Sequence, residues 1–129
     1  DLSHKMAEAA SKEDISLSQD KLDKIRNKPL RAPMVIVASV KVKVHPKVPE
    51  MEQLLSGGAS VQNLLMAAHF QGIGAMWRTG SLAFNPHLNQ LLGFERDEVL
   101  IGFIYLGTEE GNKRAIKAID TDNFVIRFN

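Results

Sequence analysis

Gln71-Gly-Ile-Gly-Ala-Met-Trp-Arg-Thr-Gly80 carries more structural information than any other segment of the chain. It reads as an apolar strand that runs straight into a loop carrying Trp77, Arg78, Thr79 and Gly80. In an α/β arrangement, loops at strand ends face solvent on a rigid scaffold, so binding groups concentrate there. Trp77 offers a flat apolar face and Arg78 a permanent cation with several donors, while glycine at position 80 lets the backbone approach closely. Such a set suits a planar, partly anionic ligand.

Upstream of this stretch, Pro49 sits where a first helical turn tolerates it, and Glu50 and Glu52 favour the positive end of a helix dipole. Met51, Leu54, Leu55, Gly58, Val61, Leu65 and Ala68 recur at three- and four-residue steps, predicting a long helix with one buried face that ends near Phe70. Its insert Ser56-Gly-Gly-Ala-Ser60 weakens a helix by about 1 kcal/mol per glycine, so a tight helix crossing or a subunit contact is expected to compensate. The lysine and spacing of a phosphate-binding Walker loop are absent from it. Before that helix, Met34-Val-Ile-Val-Ala38 predicts a central strand covered on both faces. The alternation of Val40-Lys-Val-Lys-Val44 predicts that the strand continues with one face in water, its lysines solvated. The polar segment from Ser3 to Asn27 predicts surface helices with a mobile join and Ser18 as an N-cap.

Downstream, Asn85-Pro86 is an N-cap followed by a first-turn proline, and Gly93 is a stop for a short helix through Leu88, Leu91 and Leu92. Val99-Leu-Ile-Gly-Phe-Ile-Tyr-Leu106 is too apolar to be one-sided and predicts an inner strand. Phe124-Val-Ile-Arg-Phe128 predicts a last strand in need of a neighbour.

At 129 residues and 44% apolar, the chain builds one core, so a single domain is expected over 1–129. A net charge of +1 with interspersed signs gives no footprint for nucleic acid or an anionic membrane. The absence of cysteine excludes disulfides, thiolate catalysis and cysteine-ligated metals, and is compatible with a cytoplasmic setting. No apolar run approaches the roughly 20 residues that span a bilayer. The chain starts without Met inside a polar helical pattern and is expected to be incomplete at its N-terminus.

Protein-borne chemistry is sparse. His4, His45, His69 and His87 lie far apart without zinc-helix spacing, so no metal site is expected. His69 reads as a satisfied buried histidine on the long helix and His45 as an exposed turn residue. No serine has a visible base and acid, and Asp97-Glu98 and Glu109-Glu110 are sequence neighbours that do not face one another. No catalytic side chain is therefore named. Such a chain either catalyses through a bound cofactor or does not catalyse.

Arg26-Asn-Lys-Pro-Leu-Arg-Ala-Pro33, His45-Pro-Lys-Val-Pro49, Gly74-Ala-Met-Trp-Arg-Thr-Gly80 and Gly102-Phe-Ile-Tyr-Leu-Gly107 follow one another as in the nitroreductase family. The chain resembles its small bacterial branch of NAD(P)H nitroreductases from about Asp20 to Thr108. The resemblance implies an α+β fold, a mixed sheet flanked by helices, built as an intertwined homodimer with FMN at the interface. It implies that Trp77, Arg78 and Thr79 contact FMN, that Gly80 lies beside the flavin ring, and that Lys113 and Arg114 lie near the FMN phosphate. An arginine near the flavin pyrimidine stabilises the anion left by two-electron reduction. Trp77 and Arg78 also suit an ordinary strand end with the guanidinium stacked on the indole. Family members open with an Arg-rich, serine-containing segment that holds the FMN phosphate, which has no counterpart in these residues. Two functions are thus expected: an FMN-dependent NAD(P)H oxidoreductase that passes hydride to a nitroaromatic, quinone or similar acceptor, or a non-catalytic dimerisation module without flavin.

Overall fold

The computed structural model describes residues 1–111 and 115–128. Its regular elements are α1 (Leu2–Glu13), α2 (Gln19–Arg26), β1 (Met34–Lys41), α3 (Glu50–Phe70), β2 (Gly74–Arg78), α4 (Pro86–Leu92) and β3 (Glu98–Gly107). Short 3-10 turns lie at Pro29–Arg31, Ser81–Phe84 and Thr121–Phe124. The architecture is α+β. The three strands form one sheet in the order β1-β3-β2.

β3 is the inner strand that its apolar run predicts, pairing Met34 with Leu106 on one side and Trp77 with Ile104 on the other. Both pairings are antiparallel, so the described sheet is antiparallel where a mixed sheet was expected. The reason is topological: α3 returns the chain so that β2 runs parallel to β1, and β3 enters between them in the opposite direction. That insertion also moves β1 from the expected centre to an edge, with its residues half-buried. β1 ends at Lys41 and does not continue to Val44. The Gln53 amide takes the Lys43 backbone instead, accepting from its N–H at 2.9 Å and donating to its C=O at 2.8 Å, which removes the groups a strand would pair.

One sheet face carries the core. Met6, Ala9 and Ala10 of α1 pack with Leu82, Ala83, Leu88, Leu100 and Phe103. α1 is therefore a core helix, not the surface helix that its polarity suggested. Its buried stripe is built mainly of alanine, whose small side chains let the helix approach the sheet closely. The Asp1 carboxylate caps it, accepting from Ser3 N–H at 3.0 Å. α4 begins and ends as expected, on an Asn85 side chain that accepts from His87 and Leu88 and on Gly93 in the left-handed region at φ 82°.

α3 covers the other face and has the predicted limits, but most of its apolar stripe is not buried. Val61 and Ala68 are buried and Leu54, Gly58 and Leu65 half-buried, whereas Met51 and Leu55 are exposed, as are Met66 and Phe70 outside the stripe. Gly57 makes the close approach to the sheet: a Cβ there would come within 2.2 Å of Val40 Cγ2. The glycines thus serve a helix-to-sheet contact. His69, expected to be buried, is exposed and packs edge-on against Phe70 with ring centroids 6.0 Å apart. After the turn at Thr121–Phe124, residues 125–128 are exposed and unpaired, so the expected last strand does not form among the described residues. No helix is long and apolar enough to cross a membrane among the described residues.

Candidate functional site

Trp77 and Arg78 are the last two residues of β2, and the loop begins only at Thr79. Successive strand side chains point to opposite faces, so the pair is split by the sheet. Trp77 lies across β3 on the α3 face. Its indole N–H donates to the Ile101 C=O at 3.0 Å, and a Cβ on Gly102 would sit 2.1 Å from that nitrogen. Gly102, at φ 156°, leaves the space the indole occupies. The ring reaches towards α3, where a Cβ on Gly58 would stand 3.7 Å from it.

Arg78 faces the α1 side, at the register position of Phe103. There it lines a cleft with Thr79, Gly80, Lys28, Arg31 and Tyr105. The cleft opens along the β2 edge into a cavity of about 400 Å³, walled by Pro33, Ala75, Met76 and Leu106 and again by Arg31, Arg78 and Tyr105. Gly80 adopts φ 123°, and a Cβ there would meet nothing within 4 Å, so the backbone is open at this turn.

Three cations thus line one cleft. Among the described residues, no salt bridge joins Lys28, Arg31 or Arg78 to a carboxylate. Glu109 lines the outer cavity and takes part in an interaction of its own. Like charges gathered without counter-ions repel one another, and an anionic ligand relieves that repulsion. The groups whose ionisation is displaced, Asp14, Lys41 and Glu95, lie outside the cleft.

The structure therefore brings Arg78, Thr79 and Gly80 together and places Trp77 on the opposite face. Lys113 and Arg114 lie outside the described residues. Lys28, Arg31 and Tyr105 were not singled out from sequence. The signal for Tyr105 was available, since alternation along β3 puts it on the same face as Phe103, opposite Ile104.

The family model described as "Nitroreductase family" matches residues 1–108. The chain belongs to the nitroreductase family. Among nitroreductase relatives, "Putative NAD(P)H nitroreductase YdjA" of Escherichia coli K12 is 42% identical over 94 residues, covering 72% of this chain and 51% of that protein. A "Putative NAD(P)H nitroreductase" of Haemophilus influenzae is 35% identical over 116 residues, covering 87% of this chain and 62% of its own length. The chain thus spans about half to three fifths of the length of these relatives. The nitroreductase-like protein of Bacillus cereus shares the fold with a TM-score of 0.74 at 20% identity, over 98% of this chain and 67% of that one. A nitroreductase of Desulfovibrio desulfuricans, solved in complex with FMN, aligns with a TM-score of 0.65 at 18% identity, over 98% of this chain and 65% of its own.

Proposed function

We propose that this chain is an FMN-dependent NAD(P)H oxidoreductase, or the larger part of one, that delivers hydride to a nitroaromatic, quinone or similar acceptor. The observation that carries the proposal is the cleft at Arg78, Thr79 and Gly80, where Lys28 adds a further cation and, among the described residues, no salt bridge to a carboxylate neutralises Arg78 or Lys28. FMN is planar and anionic, and when bound it supplies the two-electron relay between nicotinamide and acceptor. The residues present fit such a group.

Arg78 would hold a fixed positive charge on the bound group, which would stabilise negative charge and lower the cost of reduction. Thr79 and Gly80 offer open backbone to the ring, and Lys28, half-buried at the cleft wall, adds a second cation. Trp77 acts from behind: its bond to Ile101 fixes the strand end from which Arg78 projects. Lys113 and Arg114 are proposed near the phosphate on the family resemblance alone. The protein's part is binding, orientation and exclusion of water, with no covalent catalyst.

Arg78→Ala in the full-length protein is expected to weaken FMN binding and slow flavin reduction by NAD(P)H. Affinity and rate unchanged from wild type would refute the role. A second reading, a flavin-free dimerisation module, is favoured by the exposed Met51, Leu55, Met66 and Phe70 of α3, which suit a second copy of this chain. Homodimerisation is part of both readings, and sedimentation tests it. Flavin content separates them.

A further inference from the structure

The inner and outer parts of the cleft have different chemistry. The inner part is lined by Lys28, Arg78, Thr79 and Gly80, with Arg31 shared between it and the outer part, and is mainly polar. The outer cavity of about 400 Å³ has apolar walls from Pro33, Ala75, Met76 and Leu106, with Arg31 and Arg78 as its cations. That volume falls in the range of pockets for drug-sized ligands, and an apolar slot with a cation at its wall recognises an aromatic ring bearing an anionic group.

Arg31 is placed to be that cation. It ends the short turn Pro29–Arg31, in which Pro29 is buried and Arg31 N–H donates to the Lys28 C=O at 3.4 Å. Its backbone is therefore anchored, while the exposed guanidinium has no salt-bridge partner among the described residues. The flavoenzyme reading uses Arg78 beside the flavin and leaves Arg31 unassigned.

We propose that the outer cavity selects an anionic aromatic acceptor, such as a quinone or nitroaromatic carrying a carboxylate or sulfonate, whose anion pairs with Arg31. The inference rests on the flavoenzyme reading for the identity of the ligand as an acceptor, and on the cleft alone for its charge and shape. For a quinone the balance is NAD(P)H plus quinone plus H⁺ giving NAD(P)⁺ plus hydroquinone. Two electrons leave the nicotinamide, and both quinone oxygens end as hydroxyls.

The test uses the full-length protein, wild type and with Arg31→Ala or Arg31→Glu. Steady-state KM is measured for a naphthoquinone sulfonate and for neutral 2-methyl-1,4-naphthoquinone. Equilibrium binding of the unreactive 2-naphthalenesulfonate is measured by calorimetry, with and without FMN. Losing a charge-assisted pair is expected to raise the sulfonate KM and dissociation constant by about tenfold, more for Glu, with the neutral quinone changed less than about twofold. Equal changes for both quinones, or none for the sulfonate, overturn the assignment. Flavin absorbance separates the two ideas: a colourless protein defeats the flavoenzyme reading, while naphthalenesulfonate binding to the flavin-free protein still decides the role of Arg31.

Discussion

Replacing Asn85 should damage this fold more than any other single polar substitution in its core. Asn85 is 1% exposed and its side chain makes four hydrogen bonds. Its Oδ1 accepts from His87 N–H at 2.8 Å and Leu88 N–H at 3.2 Å, capping α4. Its Nδ2 donates to the Ala9 C=O at 3.2 Å and to Glu13 Oε2 at 2.7 Å, tying α4 to α1. Asn85→Ala removes a cap worth about 1 kcal/mol and a charge-assisted bond worth roughly 1.5–3 kcal/mol, so a loss of about 2–4 kcal/mol is expected. Against a typical domain stability of about 5–15 kcal/mol, that is a large fraction. Urea unfolding should show a midpoint about 1–2 M lower at unchanged slope. Asn85→Asp adds a sign test. It keeps the cap but sets a carboxylate against Glu13, so both acids are harder to ionise in the fold, and the deficit should shrink as pH falls through the carboxylate range. An alanine variant within about 0.5 kcal/mol of wild type, or an aspartate variant whose deficit grows on acidification, would refute this role for Asn85.

Gly102→Ala should displace the indole of Trp77, since the added Cβ falls 2.1 Å from its Nε1 and 3.0 Å from the Arg78 C=O. A cost of about 1–3 kcal/mol is expected, together with a shifted emission of Trp77, the chain's one tryptophan. Unchanged emission and melting would contradict the packing. The hydrogen bond between Lys41 and Glu95 holds the Glu95 carboxyl below its usual range and Lys41 above its ordinary value. Its contribution is therefore present between those limits, lost as pH falls through the lowered Glu95 value and lost as pH rises through the raised Lys41 value. Both groups are exposed, so Glu95→Gln should matter little and only inside that window, and high salt should erase the difference. A stability gap that persists below the Glu95 titration would be inconsistent with the pairing.

Elements set by local chemistry were legible in the sequence. α4 follows from Asn85, Pro86 and Gly93, each acting on its own backbone, and the limits of α3 follow from Pro49 and the apolar period. β3 was legible as an inner strand because the apolar run from Val99 to Leu106 suits burial on both faces. What failed was what depends on neighbours. The central place given to β1 went to β3 because strand order is decided by the crossover, and residues 34–38 do not encode it. The burial of α1 was missed because alanine carries little hydrophobic signal, although Ala7, Ala9 and Ala10 are buried beside Met6. At the candidate site, sequence adjacency within the Trp77-to-Gly80 stretch concealed that alternate strand residues face opposite sides, separating Trp77 from Arg78. Lys28 and Arg31 come from a segment more than 40 residues away, so only the folded chain places them beside Arg78.

The most direct measurement is the visible absorption spectrum of the purified chain after FMN is added and the excess removed, compared with Arg78→Ala. Retained flavin absorbance in the wild type, diminished in the variant, is the expected result for a cleft whose cations hold FMN. Absorbance that the substitution leaves unchanged, or a wild-type chain that stays colourless along with the full-length protein, would contradict the assignment of this cleft to the flavin.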